Sequence, residues 1–293
     1  MTIAANVISR RRLAKLSALS AAGAVASRQS FGQTKTITAQ EVVNQIKSHI
    51  GVPWNESSSR DTFKAGDPNT PVKGVASCFM STFDVIKRAN EAGLNFVITH
   101  EPTFWGDPES ATMFKDDPIL KIKLGYIERN KMIVWRIHDH WHAHRPDAFR
   151  ESMNKALGWT QYYDEQKRLF KLPATTLKAV ADRIASATKS RSVRVVGDPG
   201  TPVTVLAQGG HEFNQNRRGF SIADAVRTSE AREWDTVEYV RDLVASGEKK
   251  GYVLISHEAG EELAMGVFAQ WLPEQIPGLR AEFIPTTDRM WIA

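Results

Sequence analysis

The stretch Val72-Lys-Gly-Val-Ala-Ser-Cys-Phe-Met-Ser-Thr-Phe-Asp-Val-Ile-Lys-Arg-Ala-Asn-Glu-Ala-Gly-Leu-Asn-Phe-Val-Ile-Thr99 decides the fold class of the chain. Its apolar runs Val72–Phe79 and Phe96–Thr99 predict two strands. Between them, Thr82–Gly93 predicts a helix with a threonine N-cap and a glycine stop. Two continuously apolar strands joined by a helix are typical of a parallel sheet whose faces are covered.

The same alternation continues on both sides of this stretch. Further helices are predicted at Thr38–Gly51, Pro118–Asn130, Asp147–Leu157, Thr175–Thr188, Ala231–Ser246 and Glu261–Gln275, and further strands at Met132–Ile137, Val193–Val196, Val203–Ala207, Ala223–Thr228, Tyr252–Ile255 and Arg280–Ile284. Polar residues 52–72 and 209–221 predict loops, the second of them mobile. We therefore predict an α/β fold with mainly parallel sheets covered by helices in three layers.

Composition excludes several classes of protein. Of the 293 residues, 42% are hydrophobic and 24% charged, as in an ordinary globular protein. The net charge of +5 comes from the N-terminus, because residues 1–27 carry four basic side chains and no acidic one. The near-neutral remainder gives no reason to expect nucleic-acid binding. The single cysteine, Cys78, forms no internal disulfide and no cysteine-based zinc site.

Residues 1–33 resemble an export signal and a short linker. Ser9-Arg-Arg-Arg-Leu-Ala-Lys15 matches the twin-arginine pattern, Leu16–Ala26 is weakly apolar, and Ala24-Val-Ala26 offers a cleavage site. A mitochondrial-type presequence or a disordered tail is the alternative. We predict a periplasmic or secreted protein, with no membrane span in the mature form. Residues 34–293 are expected to form the metal-binding α/β region, either as one unit or in two lobes with a middle segment at about 160–222.

Six of the eight histidines lie in three clusters, each directly after an apolar strand-like run. Ligands of open α/β sheets bind beyond the carboxyl ends of the strands, where several strand ends converge. The sequence therefore predicts one metal site built from three separate segments. Its candidate residues are His100 and Glu101 after the first run, His138, His140, His142 and His144 after the second, and His257 and Glu261 after the third.

The individual clusters carry different expectations. His257 and Glu261 share a face if a helix begins early enough, since they are four residues apart. His100 is expected as a ligand. Glu101 is expected as a ligand or a catalytic base, or as a hydrogen-bond partner of an imidazole, if the chain turns at Pro102.

The second cluster alternates with Asp139, Trp141 and Ala143, so an extended chain would place all four histidines on one side. One or two of them would bind metal, and His140 or His144 would act as acid or base or contact substrate. A solvated histidine-rich loop is the alternative reading. At the junction 228–234, Glu230 or Glu233 is a further candidate for the crevice, although an acid at a helix start explains either of them as well.

Imidazoles with carboxylates suit Zn, Mn, Fe or Ni. Two such ions, bridged by Glu261, would activate water for hydrolysis of a small-molecule substrate. A metal-binding or metal-buffering protein without catalysis is the alternative, and an interaction scaffold on an inactive enzyme fold is a third. The chain contains no G-x-S-x-G, no P-loop and no G-x-G-x-x-G motif.

From about residue 40 onward the chain resembles the dinuclear metal-centre family of GTP cyclohydrolase I type 2, also called NGG-interacting-factor-like. The matching motifs are Ile98-Thr-His-Glu-Pro-Thr-Phe-Trp105, His138-x-x-x-His142-Ala-His144 and His257-x-x-x-Glu261. The resemblance implies a two-lobed α/β fold, ring-like hexamers and two divalent transition-metal ions. The ligands that it implies are His100, Glu101, His142, His257 and Glu261, with His138 close by.

Two positions depart from the family pattern. Glu101 stands where the family commonly has a second histidine, and His142 stands where it has an aspartate. The exchange conserves one imidazole and one carboxylate in total. The family's enzyme name is a poor guide to the substrate, because GTP is cytoplasmic and this chain is expected to be exported.

Overall fold

The computed structural model describes residues 37–107, 109 and 114–286. The predicted export signal and linker lie outside these residues. Two mixed sheets and their covering helices make up the described part, and the predicted α/β fold class is confirmed. No helix among the described residues is long and apolar enough to cross a bilayer.

The first sheet has five strands, of which four are mutually parallel. Their order is β1 (Phe63–Ala65), β4 (Ile133–Arg136), β3 (Phe96–Thr99), β2 (Val75–Cys78) and β11 (Ala281–Phe283), with β1 antiparallel to β4. All residues of β2, β3 and β4 are buried because helices cover both faces. One face carries α1 (Ala39–His49) and α9 (His257–Gln275), and the other carries α2 (Phe83–Glu91) and α3 (Pro118–Arg129).

The second sheet has six strands, and only its centre is parallel. The order is β5 (Tyr163–Asp164), β6 (Leu169–Thr176), β8 (Pro202–Gln208), β9 (Ala225–Thr228), β10 (Gly251–Leu254) and β7 (Arg194–Val196), and β8, β9 and β10 are the parallel strands. Helices α5 (Ala148–Leu157) and α6 (Leu177–Thr188) pack on one face. Helices α7 (Phe213–Ile222) and α8 (Glu238–Ala245) pack on the other.

Helix α9 connects the two sheets. It starts directly after β10 of the second sheet, where the Ser256 hydroxyl caps it by accepting a hydrogen bond from the Ala259 amide. Ala259 and Leu263 pack against the core of the second sheet, whereas Phe268 lies in the core of the first. The first turns of α9 therefore lie between the two sheets, and they carry His257 and Glu261.

The predicted mobile loop at 209–221 is wrong in part, because it contains most of α7. Asn216, Gly219 and Phe220 are the buried residues of this helix, at helical spacing. The Asn216 amide holds the loop before the helix through hydrogen bonds with the backbone of Gly210. Because only one of the three buried residues is large and apolar, the amphipathic pattern was too weak to indicate a helix.

The second histidine cluster is not extended, so its four histidines do not lie on one side. Residues Asp139–Ala143 form a single helical turn, α4. The buried Asp61 carboxylate accepts hydrogen bonds from the backbone amides at the start of this turn, those of residues 138, 139 and 140. His138 and His142, one turn apart, share a face, and His140 points elsewhere.

Candidate metal centre

His100 directly follows β3 and is fully buried. Its Nδ1 lies 3.0 Å from the carbonyl oxygen of Ile137, and because a carbonyl only accepts, Nδ1 carries the hydrogen. Nε2 therefore presents a lone pair, and no described residue donates a hydrogen bond to it. A buried imidazole lone pair without a donor is what a metal ligand requires.

His100, His138 and His142 form the first candidate group of ligands, with ligand atoms within 4.8 Å of one another. The ring centroids of His138 and His142 lie 4.5 and 5.0 Å from that of His100. Burial and the neighbouring His100 lower the pKa of His142 to about 3, and the same two causes lower the pKa of His138. Both imidazoles are neutral at neutral pH, the form that binds a metal.

His211, His257 and Glu261 form the second group. Nε2 of His257 lies 3.0 Å from Oε2 of Glu261, one turn further along α9. Nε2 of His211, in the loop before α7, lies 3.7 Å from Oε1 of the same carboxylate. The two oxygens of Glu261 therefore face different imidazoles.

A third group, His100, Glu101 and Glu261, joins the first two. Nε2 of His100 lies 3.5 Å from Oε2 of Glu261 and 3.9 Å from Oε1 of Glu101. The same Glu101 oxygen lies 3.5 Å from Nε2 of His257. The two carboxylates thus lie between the two sets of imidazoles.

The electrostatics of Glu261 follow from this position. Burial raises the pKa of a carboxyl, but interactions with the nearby imidazoles of His100, His211 and His257 outweigh burial and hold the pKa of Glu261 well below its ordinary value. Conversely, burial alone would lower the pKa of His257, and its hydrogen bond to Glu261 raises it instead. The carboxylate is therefore ionised at neutral pH.

Glu101 is fixed by an arginine that sequence reasoning missed. Arg136, fully buried in β4, donates from Nη2 to Oε2 of Glu101 over 3.2 Å and from Nε to the carbonyl oxygen of His100 over 2.8 Å. The Glu101 amide donates to the carbonyl oxygen of Phe79. These bonds hold the turn after β3, so that His100 and Glu101 both reach the centre. A charged side chain inside an otherwise apolar strand was the available signal.

The structure does not bring His140 into the centre. Its Nδ1 pairs with Asp61, its Nε2 accepts a hydrogen bond from the Asn55 amide over 2.7 Å, and its ring stacks on Trp54 with centroids 3.6 Å apart. Both nitrogens are engaged away from the cavity. This geometry argues against the prediction that His140 acts as the acid or base.

His144 also lies outside the centre. Its Nδ1 is 3.1 Å from the carbonyl oxygen of Pro146, and its ring packs beside Trp141 and Trp271. It does not line the cavity, so the geometry argues against the predicted catalytic role here too.

Of the two acids considered at the junction after β9, only Glu230 reaches the centre. Its Oε2 lies 3.1 Å from Nδ1 of His257, which leaves Nε2 of that ring to face the ligand groups. Glu233 instead pairs with Arg194 at the surface. His211 was missed because it lies in the stretch that the sequence predicted to be a loop.

The centre opens into a cavity of about 490 Å³ between the two sheets. Gly260 forms part of its wall, and a Cβ at this position would lie 2.5 Å from Cβ of Ser229, so only glycine allows α9 to pack this closely. A larger cavity, about 990 Å³, lies beside β7 and α8, but none of the three ligand groups lines it. The ligand groups line the smaller one, through Glu101, His138, His142, His211, His257 and Glu261.

Comparison with known proteins gives matches over most of the chain. A family model described as Duf34/NIF3 (NGG1p interacting factor 3) matches residues 37–289. A curated protein of Clostridium acetobutylicum, named GTP cyclohydrolase 1 type 2 homolog, is 23% identical over an alignment of 202 residues. The match covers 62% of this chain and 72% of that protein.

Solved structures share the fold. A hypothetical protein of Staphylococcus aureus matches with a TM-score of 0.67 at 15% identity, over 87% of this chain and 99% of its own. A Bacillus cereus protein related to NIF3 gives 0.66 at 13% identity, over 89% and 100%. A Thermus thermophilus protein gives 0.62 at 17% identity, over 87% and 100%. At such identities the likeness supports the fold alone.

Proposed function

The chain belongs to the Duf34/NIF3 (NGG1p interacting factor 3) family, which confirms the resemblance in its three histidine-bearing motifs, and we propose that it is a divalent-metal-dependent hydrolase with a dinuclear centre. The observation that carries the proposal is the position of Glu261. This one carboxylate belongs to two ligand groups, with one oxygen toward His100 and His257 and the other toward His211. A shared carboxylate is what a two-ion centre needs.

The residues present fit such a centre, since the buried Nε2 lone pair of His100 has no donor among the described residues. His100, His138 and His142 would hold one divalent ion, and His211, His257 and Glu261 the other. Imidazoles with carboxylates suit Zn, Mn, Fe or Ni. When bound, two such ions supply Lewis acidity and lower the pKa of a water molecule toward neutrality.

The protein's own side chains prepare this chemistry. With an ion bound, Glu230 would accept the hydrogen of Nδ1 of His257, and the Ile137 carbonyl accepts that of His100, so both rings would present an Nε2 lone pair to the centre. Arg136 holds one oxygen of Glu101, and the other faces the imidazoles. Glu101 is therefore the carboxylate placed either to bind an ion or to accept a proton.

The test begins with elemental analysis of the purified protein. We expect up to two equivalents of a transition metal, and we expect chelation to abolish turnover of an ester, amide or phosphoester from a small-molecule panel. His257→Ala and Glu261→Ala should each lose metal and activity, whereas His144→Ala, outside the cavity, should retain both. Full metal content and activity in both of the first two variants would show that the assignment is wrong.

Metal buffering without catalysis is the second candidate. Five imidazoles belong to the candidate ligand groups, namely those of His100, His138, His142, His211 and His257. That many neutral donors also suits a protein that only stores or passes on metal. Rapid metal exchange with no turnover across the panel would favour this role over hydrolysis.

We also propose that the mature protein works outside the cytoplasm as a homo-oligomer. The support is the twin-arginine pattern at Ser9–Lys15 and the family's ring-like hexamers. A fusion of residues 1–35 to a reporter should be exported, and replacement of Arg10 and Arg11 by lysine should retain it in the cytoplasm. Light scattering of the purified protein checks the hexamer.

A further inference from the structure

Arg227 is a buried cation with no partner that explains its burial. It lies in β9, only 4% exposed, and among the described residues no carboxylate forms an ion pair with it and its Nε has no hydrogen-bond partner. Burial lowers its pKa to about 10, so the guanidinium stays charged at neutral pH. A buried, unpaired charge is strongly destabilising unless a ligand neutralises it.

Two other buried polar atoms near Arg227 are equally unsatisfied. Gln208 is the residue opposite Arg227 in the parallel pair β8–β9, and its side-chain carbonyl oxygen has no hydrogen-bond partner in the described part of the chain. The buried hydroxyl of Tyr163 also has none there, and it lies near Arg227. Buried polar groups in native proteins are nearly always paired, so the orphaned Arg227 Nε–H indicates a missing acceptor, whereas the Gln208 carbonyl oxygen lacks a donor.

Two of these three side chains, Arg227 and Gln208, belong to the same cavity as the metal centre. Arg227 and Gln208 line it, on the wall formed by the carboxyl ends of β8 and β9, and Glu101 and Glu261 line it as well. A volume of about 490 Å³ suits a small molecule. A molecule in the cavity would therefore contact the metal ligands and Arg227 together.

The other arginines of the cavity differ in their pairing. Arg60 is held by Asp107 and Asp139, and Arg150 by Asp147 and Glu165. Arg168 and Arg227 form no ion pair with any described residue. The arginines of the cavity that lack an ion pair are therefore Arg168 and Arg227, although Glu261 lies near enough for its charge to raise the pKa of Arg227.

We propose that Arg227, on the wall that it shares with Gln208, forms an oxyanion subsite that binds a carboxylate or phosphate group of the substrate beside the metal centre. A guanidinium presents parallel N–H donors that match the oxygens of either group. That the anion belongs to a substrate rests on the proposed hydrolase function, whereas the binding of an anion does not. The substrate class that follows is a small organic acid or phosphate ester.

The experiment measures binding of inorganic phosphate and of acetate by calorimetry, with metal-free and metal-loaded protein. Phosphate or acetate should bind wild-type protein in both forms. Arg227→Met should weaken the binding at least about tenfold, the loss expected for charge-assisted hydrogen bonds. The matched control is Arg217→Met, which removes an exposed arginine of α7 and should bind as wild type does. If phosphate binds more tightly than acetate, the substrate carries a phosphoryl group. If acetate binds more tightly, the substrate carries a carboxylate.

Thermal unfolding without ligand shows whether a variant that binds anions weakly is still folded. Arg227→Met should unfold at the wild-type temperature or above it, because it removes an unpaired buried charge, and phosphate should no longer raise its Tm.

Two results would overturn the subsite: no anion binding by either form of the wild type, or binding that Arg227→Met leaves unchanged. Anion binding that depends on Arg227, in a protein that takes up no divalent metal when it is offered, would uphold the subsite and refute the proposed hydrolase. If the protein holds stoichiometric metal but its anion binding does not depend on Arg227, the subsite is refuted and the proposed metal centre is upheld.

Discussion

Glu261 follows His257 by one helical turn, and its Oε2 lies 3.0 Å from Nε2 of that histidine while its Oε1 faces His211. The pair exists because Ser256 caps α9 directly before His257. Had the helix begun at 261, as the sequence predicted, the two side chains would not share a face. The early start of α9 thus places a carboxylate between the imidazoles of both sheets.

Replacing Glu261 by glutamine tests this shared position. The variant keeps the volume of the side chain and removes its negative charge. Glu261 belongs to the second and third ligand groups, and the third shares His100 with the first. We expect metal affinity to fall at both positions by more than the roughly 10–100-fold loss typical of residues that only support a ligand. Competition with a chromophoric chelator measures it.

The matched control for that variant is Glu274→Gln, an exposed glutamate further along α9. It should bind metal as wild type does. Loss at only one of two positions in Glu261→Gln would show that the carboxylate is not shared.

His211 provides a second prediction, because it belongs to only one group of ligands. His211→Ala should reduce the metal content from two equivalents toward one, since His100, His138 and His142 are untouched. Elemental analysis after dialysis at fixed free metal gives the stoichiometry. His49→Ala, which removes an exposed histidine from α1, should leave it unchanged. A variant that keeps two equivalents would remove His211 from the centre.

Local pattern explains what the sequence predicted well. Strands β2 and β3 and helix α2 lie inside the predicted ranges, because continuous apolar runs and the Thr82 cap are signals carried by neighbouring residues. His100 and His257 were found for the same reason. Both follow buried strands directly, and strand ends converge in this fold class.

Long-range contacts explain what it predicted badly. The histidines from 138 to 144 alternate as in a strand, but Asp61, distant in sequence, caps them into a helical turn and engages His140. No pattern within the segment carries that information. Arg227 and Gln208 escaped notice similarly, since only the pairing of β8 with β9 brings them together.

Asp61 therefore offers a third prediction. Asp61→Ala leaves the amides at the start of α4 without an acceptor and His140 without its partner, and it should lower the free energy of unfolding by roughly 2–4 kcal/mol. It should also weaken metal binding at His138 and His142, because α4 orients both. Urea unfolding followed by circular dichroism measures the first effect, and metal stoichiometry measures the second.

Asp67→Ala, at an exposed turn, is the control for Asp61 and should change the free energy of unfolding by less than about 0.5 kcal/mol. If Asp61→Ala unfolded like wild type, the turn of α4 would not depend on this carboxylate.

Lys123 gives a prediction for the pH dependence of stability. Burial lowers the pKa of its ammonium to about 8 from the ordinary 10.5, and Nζ donates a hydrogen bond over 2.6 Å to the carbonyl oxygen of Thr103. Between pH 8 and 10.5 the unfolded chain therefore binds a proton that the folded chain has released. The contribution of Lys123 to stability should therefore rise with pH across this window and stay level below it.

The expected gain attributable to Lys123 is about 3.5 kcal/mol, at about 1.4 kcal/mol for each pH unit. Lys123→Met should lose this gain, and the difference between the two unfolding curves isolates it from other groups that titrate in the same range. Lys121→Met, at an exposed position of the same helix, should keep the wild-type slope. A slope in Lys123→Met equal to that of wild type would mean that Lys123 keeps its ordinary pKa in the folded protein.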